Sequence, residues 1–218
     1  MKLTKELLLS AYCQGIFPMA ESAYTKDVYW VDPEKRGVLP LNRFHIPKKL
    51  IKKIKSEPFR IMINTAFRSV MIKCAEPSNN IERQNTWINS LIIDRYCELH
   101  KFGHAHSIEC WQGTKLVGGL YGVAINGAFC GESMFHNVTD ASKVALVYLI
   151  ARLRLGGYSL LDTQFVTDHL SQFGAVEISR KDYRAQLNNA LKNTDADFYL
   201  MSEDAEVSII LQSITQTS

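Results

Sequence analysis

The chain has 218 residues, of which 46% are hydrophobic, and a formal net charge of +3 at pH 7. This composition is ordinary for a globular protein of one large or two small domains, and so mild a charge says nothing about a nucleic-acid partner. No apolar run reaches the roughly 18 residues of a membrane helix, and the polar start M-K-L-T-K-E is unlike a signal peptide. We therefore expect a cytoplasmic protein without a membrane partner.

Cysteine and histidine do not indicate a metal or disulfide framework. The five cysteines are an odd count without a C-x-x-C pair, and several lie inside apolar patterns, which is typical of buried, reduced thiols. His100 and His104 end a predicted helix whereas His106 opens a strand, so their rings should point in different directions. We expect no metal site.

The first half of the chain alternates short helices and strands. Thr4 is a candidate N-cap and Gly15 a helix stop, while Thr86 is a candidate N-cap for a later helix that Gly103 ends. The predicted helices are 4–14, 45–56, 65–74 and 86–103; the predicted strands are 28–31, 38–39 and 59–63, with a turn at 32–37 and a loop at 76–84.

Residues 45–56 read H-I-P-K-K-L-I-K-K-I-K-S and are the most basic stretch. Leu50, Ile51 and Ile54 share one face of the predicted helix, and lysines cover most of the rest. One interpretation is a solvated face. The other is a phosphate-contacting surface, which five lysines in eight residues without an acid favour. The candidate phosphate contacts are Lys48, Lys49, Lys52 and Lys53.

The second half predicts a strand-rich core followed by a strand–helix–strand unit. The predicted strands are 105–111, 116–123, 128–135, 158–162, 174–178 and, weakly, 207–211; the helices are 141–155, 166–173 and 180–191. Asp140 is the candidate N-cap of the helix at 141–155. The stretch from Cys130 to Gln164 has the length of a crossover unit and carries polar groups at its strand ends, where open α/β sheets bind ligands.

Glycines interrupt the strand at 116–123, which reads L-V-G-G-L-Y-G-V. Strand glycines indicate a bulge or the close approach of another backbone, so this strand is a candidate contact for a substrate chain. The frame also suits a GNAT-like acyltransferase. However, the only candidate cofactor loop, R-L-R-L-G-G at 152–157, falls at a helix C-terminus, whose dipole repels phosphate. A nucleophile elbow and a phosphate-binding loop are both absent from the sequence.

Six segments together resemble one family. They read G-I-F-P-M at 15–19, W-V-D-P-E-K-R-G-V-L-P at 30–40, G-G-L-Y-G-V at 118–123, G-E-S-M-F at 131–135, A-S-K-V-A-L at 141–146 and D-T-Q at 162–164. In this order and spacing they resemble the bacterial leucyl/phenylalanyl-tRNA–protein transferases, over about residues 8–190.

The resemblance implies an α/β (α+β) protein in two parts. Residues 1–60 would form a small N-terminal domain, shortened relative to longer members, and residues 61–192 a GNAT-like acyltransferase domain with a central mixed sheet. No role follows for the tail at 193–218.

The implied activity is transfer of Leu or Phe, and less well Met, from aminoacyl-tRNA to the N-terminal Arg or Lys of acceptor proteins. The product would be a degradation signal of the N-degron pathway, and no metal, ATP or other cofactor is implied because the ester holds the energy. Two alternatives stay open: a GNAT-like N-acyltransferase with another donor, and a non-catalytic RNA-binding module.

By resemblance, Asp162 and Gln164 form the catalytic pair, and positions two apart on a strand share a face. Asp162 would polarise Gln164. Whether Gln164 removes a proton from the amine or only orients it is open, since a carboxamide is a poor base. Glu132 would bind the acceptor's cationic N-terminus or position the terminal adenosine of the tRNA.

The donor side chain needs an apolar pocket, and four positions match that of the family: Met134, Phe129, Leu146 and Leu161. Trp30 and Trp87 are candidates for stacking on the terminal adenine. For the four pocket residues and for Trp87 the alternative is ordinary core packing.

Overall fold

The computed structural model describes residues 3–25, 27–56, 58–76, 86–201 and 210–212. The helices are α1 (Lys5–Cys13), α2 (Lys48–Lys55), α3 (Phe67–Ala75), α4 (Ser90–Lys101), α5 (Ala141–Leu155), α6 (Asp168–Ser171) and α7 (Arg180–Ala190), with a 3₁₀ turn at Leu41–Arg43. The strands are β1 (Phe17–Met19), β2 (Tyr29–Val31), β3 (Lys35–Val38), β4 (Arg60–Ile63), β5 (Ala105–Gln112), β6 (Lys115–Ile125), β7 (Ala128–His136), β8 (Leu160–Gln164) and β9 (Val176–Ser179).

Seven strands form one mixed sheet in the order β4-β5-β6-β7-β8-β3-β9, and β1 and β2 form a separate pair. β7 and β8 run parallel, joined by α5 as the crossover, and the other neighbours are antiparallel. The predicted α/β fold with a central mixed sheet is confirmed. The GNAT-like comparison for residues 61–192 stays a prediction with which this sheet is compatible.

The sheet separates two apolar layers. Residues of α2 and α5 pack on one face with Phe129 and Leu161, and residues of α1, α3 and α4 pack on the other with Tyr121 and Cys130. Alternation along β6 and β7 supplies both layers, because successive strand residues point to opposite faces. α5 is buried along most of its length, because its residues share one core cluster with the sheet, with α2 and with Phe198 and Ile210 of the tail.

The glycines of β6 serve packing within the protein. A Cβ on Gly118 would lie 2.4 Å from the Cβ of Ala141, and one on Gly122 would lie 2.4 Å from the carbonyl oxygen of Cys130. The expectation that these glycines make room for a substrate chain is therefore wrong, because α5 and β7 already occupy that space.

Three local predictions differ from the structure. α4 begins after Asn89, whose side chain accepts a hydrogen bond from the Ile92 N–H at 2.8 Å, so the N-cap is Asn89 and not Thr86. β3 begins at Lys35 inside the predicted turn and pairs with β8 and β9. Residues 210–212 are helical where a weak strand was predicted at 207–211; residues 207–209, and 77–84 of the predicted loop, lie outside the described part.

The first 60 residues contribute β3 to the main sheet, between β8 and β9. A division at 60/61 and at 192/193 stays a prediction. Within the described ranges, no helix is long and apolar enough to cross a membrane, and no group of three or more His, Cys, Asp or Glu could hold a metal ion.

Candidate active site

Two parallel strands diverge at the centre of the sheet. β7 and β8 are paired only from Ala128 opposite Leu160 to Cys130 opposite Asp162. Beyond that point β7 continues to His136 while β8 ends at Gln164. Glu132, Asp162 and Gln164 lie at or just beyond the point where this pairing ends.

A β-bulge places Glu132. Tyr121 of β6 lies opposite Ser133 and Gly122 lies opposite Gly131, so Glu132 is the extra residue on β7. A bulge turns a side chain away from the alternation of its strand. Here Glu132 lies on the same face as Cys130, toward the hydroxyl groups of α1 and α4, and after the bulge Met134 packs against the α5 layer.

The Glu132 carboxylate accepts three hydrogen bonds. Its Oε1 accepts from the Tyr12 hydroxyl at 2.7 Å and from Nε2 of Gln164 at 2.9 Å. Its Oε2 accepts from the Tyr96 hydroxyl at 3.3 Å, and the two tyrosine hydroxyls contact each other. Because Tyr96 has a single proton for two neighbouring acceptors, Oε2 is the less fully bonded oxygen.

Burial dominates the ionisation of Glu132. The side chain is nearly inaccessible to water, and this burial, with the nearby charge of Asp162, raises its pKa to about 7; the hydrogen bonds from Tyr12, Gln164 and Tyr96 work in the opposite direction. A carboxyl group of that pKa can exchange a proton near neutral pH, which is what a general base requires.

Asp162 forms a buried ion pair with Arg36. Nε of Arg36 donates to Oδ1 at 2.8 Å and Nη2 donates to Oδ2 at 2.6 Å. The side chains are 1% and 0% exposed. The Tyr183 hydroxyl donates to Oδ2 at 2.9 Å, and burial together with the Asp162 charge raises the tyrosine's pKa far above its usual value, so it stays a neutral donor.

Gln164 ends β8 in an unusual backbone conformation. Its φ is 63°, in the left-handed region that residues other than glycine rarely adopt. Its N–H donates to Oδ1 of Asp162 at 2.8 Å, and its side-chain amide points at Glu132. Asp162 thus contacts the backbone of Gln164, whereas the carboxylate that touches its side chain is Glu132. Within the described ranges, Oε1 of Gln164 accepts no hydrogen bond.

Sequence reasoning missed four residues that build this site. They are Tyr12, Arg36, Tyr96 and Tyr183, none of which was assigned to the site from the sequence. No local signal marked Arg36, because it stands among the charged residues of the predicted turn at 32–37, where an exposed cation is the ordinary expectation. Tyr12 and Tyr96 fall on the apolar faces of α1 and α4, where the sequence alone does not separate a functional tyrosine from a core residue.

The predicted pocket residues share one apolar layer. Phe129, Leu146 and Leu161 are buried in the layer beneath α5, and Met134 is half-buried at its margin. Trp30 and Trp87 are half-buried on the opposite layer, which also contains Tyr12 and Tyr96. Trp87 precedes α4, and its carbonyl oxygen accepts from the Ala20 N–H at 3.3 Å. The two groups therefore lie on different faces of the sheet.

The four predicted tRNA-contacting lysines lie on α2. Lys48, Lys49 and Lys52 are exposed, and Lys53 is half-buried, 6.0 Å from the ring centre of Phe59. Leu50 and Ile54 anchor the helix to the α5 layer. Over the part of the chain that the structure describes, these lysines form no ion pair with an acidic side chain, so their charge is available to a ligand.

Comparison with known proteins agrees with this architecture. The leucyl/phenylalanyl-tRNA protein transferase profile matches residues 38–188, and the N-terminal domain profile of the same family matches residues 1–34. A leucyl/phenylalanyl-tRNA–protein transferase of Phenylobacterium zucineum is 51% identical over 216 residues, covering 97% of this chain and 96% of the relative. One of Paramagnetospirillum magneticum is 57% identical over 192 residues, covering 88% and 91%. One of Caulobacter vibrioides is 50% identical over 215 residues, covering 99% and 98%.

The mixed α/β sheet, the polar cluster at its diverging strands and these matches define an aminoacyltransferase. Over nearly its whole length, the chain belongs to the leucyl/phenylalanyl-tRNA–protein transferase family.

Proposed function

We propose that this enzyme transfers Leu or Phe, and less well Met, from aminoacyl-tRNA to the N-terminal Arg or Lys of acceptor proteins in the cytoplasm. The transfer marks those proteins for degradation through the N-degron pathway. The observation that carries the proposal is the 2.9 Å hydrogen bond between Gln164, at the end of β8, and Glu132 of β7. The names of the relatives support the choice of donor and of a protein acceptor.

The acceptor amine binds to the two oxygens of this pair that have bonding capacity left. They are Oε1 of Gln164 and Oε2 of Glu132, whose bond from Tyr96 is long at 3.3 Å. An α-amino group has a pKa of about 7.7–8.0, so the acceptor arrives largely as an ammonium ion. Three N–H groups on that ion match acceptors of this kind, and the Glu132 carboxylate supplies the opposite charge.

The reaction is displacement at an activated ester. The neutral amine nitrogen bonds to the ester carbonyl carbon, and the carbon–oxygen bond to the terminal ribose breaks. The nitrogen loses one proton and the departing ribose oxygen gains one. The additional proton of an ammonium acceptor goes to Glu132, whose pKa of about 7 suits that exchange. Gln164 orients the amine by a hydrogen bond and does not act as the base, because a carboxamide holds a proton poorly.

The donor side chain lies against the apolar layer beneath α5. We assign Met134, Phe129, Leu146 and Leu161 to this contact. They share one packed layer, and the half-buried Met134 can change rotamer to fit Leu, Phe or Met. A β-branched donor puts an extra methyl group close to its own backbone, where a packed wall tolerates it poorly.

The tRNA contacts the opposite layer and α2. We assign Trp30 and Trp87 to stacking on the terminal adenine, since both rings are half-buried in the layer that carries Tyr12 and Tyr96. The lysines Lys48, Lys49, Lys52 and Lys53 then neutralise phosphates of the acceptor stem.

A donor panel tests this proposal. Leucyl-, phenylalanyl-, methionyl- and isoleucyl-tRNA at equal concentration are each incubated with enzyme and a peptide that begins with Arg, and the aminoacylated peptide is quantified by mass spectrometry. We expect the order leucyl and phenylalanyl, then methionyl, with isoleucyl at least tenfold slower. Transfer from isoleucyl-tRNA at the leucyl rate would contradict the pocket assignment. Transfer from an acyl-CoA but from no tRNA would contradict the function.

A further inference from the structure

The turn that carries Gln164 is held under strain. The residue has a φ of 63°, and the next N–H, of Phe165, bonds back to the carbonyl oxygen of Thr163 at 2.7 Å. A non-glycine residue keeps such a conformation only where its surroundings enforce it. The conformation also decides the site, because it turns the Gln164 side chain toward Glu132.

The carboxylate of Asp162 enforces the turn and has no bonding capacity left for other work. It accepts four hydrogen bonds: from the Gln164 N–H at 2.8 Å, from Nε and Nη2 of Arg36 at 2.8 and 2.6 Å, and from the Tyr183 hydroxyl at 2.9 Å. Two oxygens offer about four acceptor positions. Asp162 is therefore occupied by protein donors, and none of these bonds reaches the Gln164 side chain.

Arg36 is itself fixed on every side. Its Nη1 donates to the carbonyl oxygen of Gly15 at 3.0 Å, and its guanidinium carbon lies 4.4 Å and 4.5 Å from the ring centres of Phe17 and Tyr183. The adjacent residue, Gly37, lets the turn approach β3, because a Cβ there would lie 2.6 Å from the carbonyl carbon of Phe165.

We propose that Arg36 and Tyr183 are positioning residues, and that they act through Asp162 on the backbone of Gln164. Asp162 is in this view a clamp on the strained turn and not a group that polarises the Gln164 side chain. The clamp sets the direction of the Gln164 amide and hence the binding site of the acceptor amine, so the proposal rests on the proposed function for its kinetic consequences.

The test is a double-mutant cycle between Arg36→Lys and Gln164→Ala, measured as kcat and KM for an Arg-initial peptide with leucyl-tRNA. Lysine keeps the charge of Arg36 but cannot donate to both carboxylate oxygens in the same geometry. We expect each single change to lower kcat/KM for the peptide at least tenfold while KM for leucyl-tRNA stays within about twofold. The double variant should be no slower than Gln164→Ala alone, because Arg36 acts only through that residue.

The matched control is Arg152→Lys. Arg152 is also 1% exposed, and it donates to the carbonyl oxygens of Phe198 and Met201, remote from Gln164. Arg152→Lys should lower thermal stability without a selective loss of kcat/KM for the peptide. Two results would overturn the proposal. In the first, the losses of peptide kcat/KM in Arg36→Lys and Gln164→Ala multiply in the double variant. In the second, Arg36→Lys loses no more peptide kcat/KM than Arg152→Lys does.

A second readout does not depend on activity. Hydrogen exchange at the backbone N–H of Gln164, followed by NMR, should be at least tenfold faster in Arg36→Lys than in Arg152→Lys, because this N–H donates to Asp162. Where Arg36→Lys fails to fold, Tyr183→Phe serves instead, because it removes one bond to Asp162. It should lower peptide kcat/KM and speed exchange of the Gln164 N–H, each by about threefold or more. Unchanged exchange of the Gln164 N–H in Arg36→Lys and Tyr183→Phe would overturn the clamp, even if the enzyme transfers Leu. A wild-type enzyme without transfer would overturn the proposed function. The exchange measurement would still decide whether the clamp exists.

Discussion

Glu132 combines two features that oppose each other in a folded protein. It is buried, which favours the neutral acid, and it accepts bonds from Tyr12, Tyr96 and Gln164, which favour the carboxylate. The balance brings its pKa to about 7, far above the usual 4.5 of the side chain. A residue of this kind is ionised in only part of the enzyme at neutral pH, so in the proposed mechanism its charge state sets the reaction rate.

The first prediction concerns the pH dependence of kcat with saturating leucyl-tRNA and Arg-initial peptide. The proposed base is the ionised form, and the carboxyl group binds its proton below pH 7. We therefore expect kcat of the wild type to fall about tenfold per pH unit below about 7 and to level off above it. Glu132→Gln should be slower throughout and should lack this limb. A Glu132→Gln variant with the wild-type limb would show that another group titrates.

The D-T-Q motif and Arg36 show which single residues of the site the sequence can and cannot predict. Asp162 and Gln164 were predicted from the family resemblance, to which the local D-T-Q motif at 162–164 contributes. The bond from Arg36 to Asp162 joins residues 126 positions apart, and it exists only because β3 lies beside β8. No local pattern around Arg36 contains that information.

At the level of elements, α2 is the clearest case of a helix with one anchored and one free face. Leu50 and Ile54 are buried, and Lys48, Lys49, Lys52 and Lys55 are exposed. Such a helix needs no ligand to be stable, because the apolar face alone holds it in place. The lysine face is therefore open to a functional test that leaves the fold intact.

The second prediction is that changing Lys48, Lys49, Lys52 and Lys53 together to Ala raises KM for leucyl-tRNA at least tenfold at about 0.1 M salt. The wild-type value should itself rise steeply with salt while the variant responds less, since each lost phosphate contact lowers the salt dependence. Steady-state kinetics at several salt concentrations measures both.

The control removes the same charge elsewhere. Lys101, Lys115, Lys181 and Lys192 are all exposed, and their joint change to Ala alters the net charge equally. We expect a change in KM of about twofold or less. Equal effects of the two sets would show that only net charge matters and that α2 is no dedicated tRNA surface.

The start of α4 yields a stability prediction. Asn89 is 2% exposed; its Oδ1 accepts from the Ile92 N–H and its Nδ2 donates to the carbonyl oxygen of Thr25 at 2.8 Å. Replacing a good N-cap by Ala costs about 0.5–2 kcal/mol, and the lost bond to Thr25 adds to this. Asn89→Ala should therefore lower the free energy of unfolding in urea by about 2 kcal/mol.

Thr86→Ala is the natural comparison, because Thr86 has the residue type of a cap but lies before the helix and only accepts from the Ile88 N–H at 3.1 Å. It should cost about 0.5 kcal/mol or less. A larger loss for Thr86→Ala than for Asn89→Ala would contradict the assigned helix start. The sequence could not separate these residues, since both are good caps three positions apart, and the bond to Thr25 decides between them.

Across the whole molecule, the candidate active site joins the ends of the chain to its middle. Tyr12 and Arg36 come from the first 60 residues, Glu132, Asp162 and Gln164 from the central strands, and Tyr183 from α7. The hairpins β5–β6–β7 were predictable because their alternation and turns are local. The insertion of β3 between β8 and β9 was not, because a four-residue strand gains its place only from its neighbours.

The site therefore depends on the complete fold. In the proposed function, the buried carboxylate of Glu132 and the carboxamide of Gln164, joined by a hydrogen bond, bind a free N-terminal amine. An acceptor whose amine is blocked offers neither the positive charge nor the nucleophile, although its first side chain is unchanged. Blocking the amine thus separates amine recognition from recognition of the Arg or Lys side chain.

The most direct measurement is transfer of radiolabelled Leu from leucyl-tRNA to four peptides that differ only at the N-terminus: Arg, Lys, Gly and N-acetylated Arg. We predict transfer to the Arg and Lys peptides, at least a hundredfold less to the Gly peptide, and none to the acetylated peptide. Transfer to the Gly peptide at the Arg rate, or any labelling of the acetylated peptide, would contradict the account.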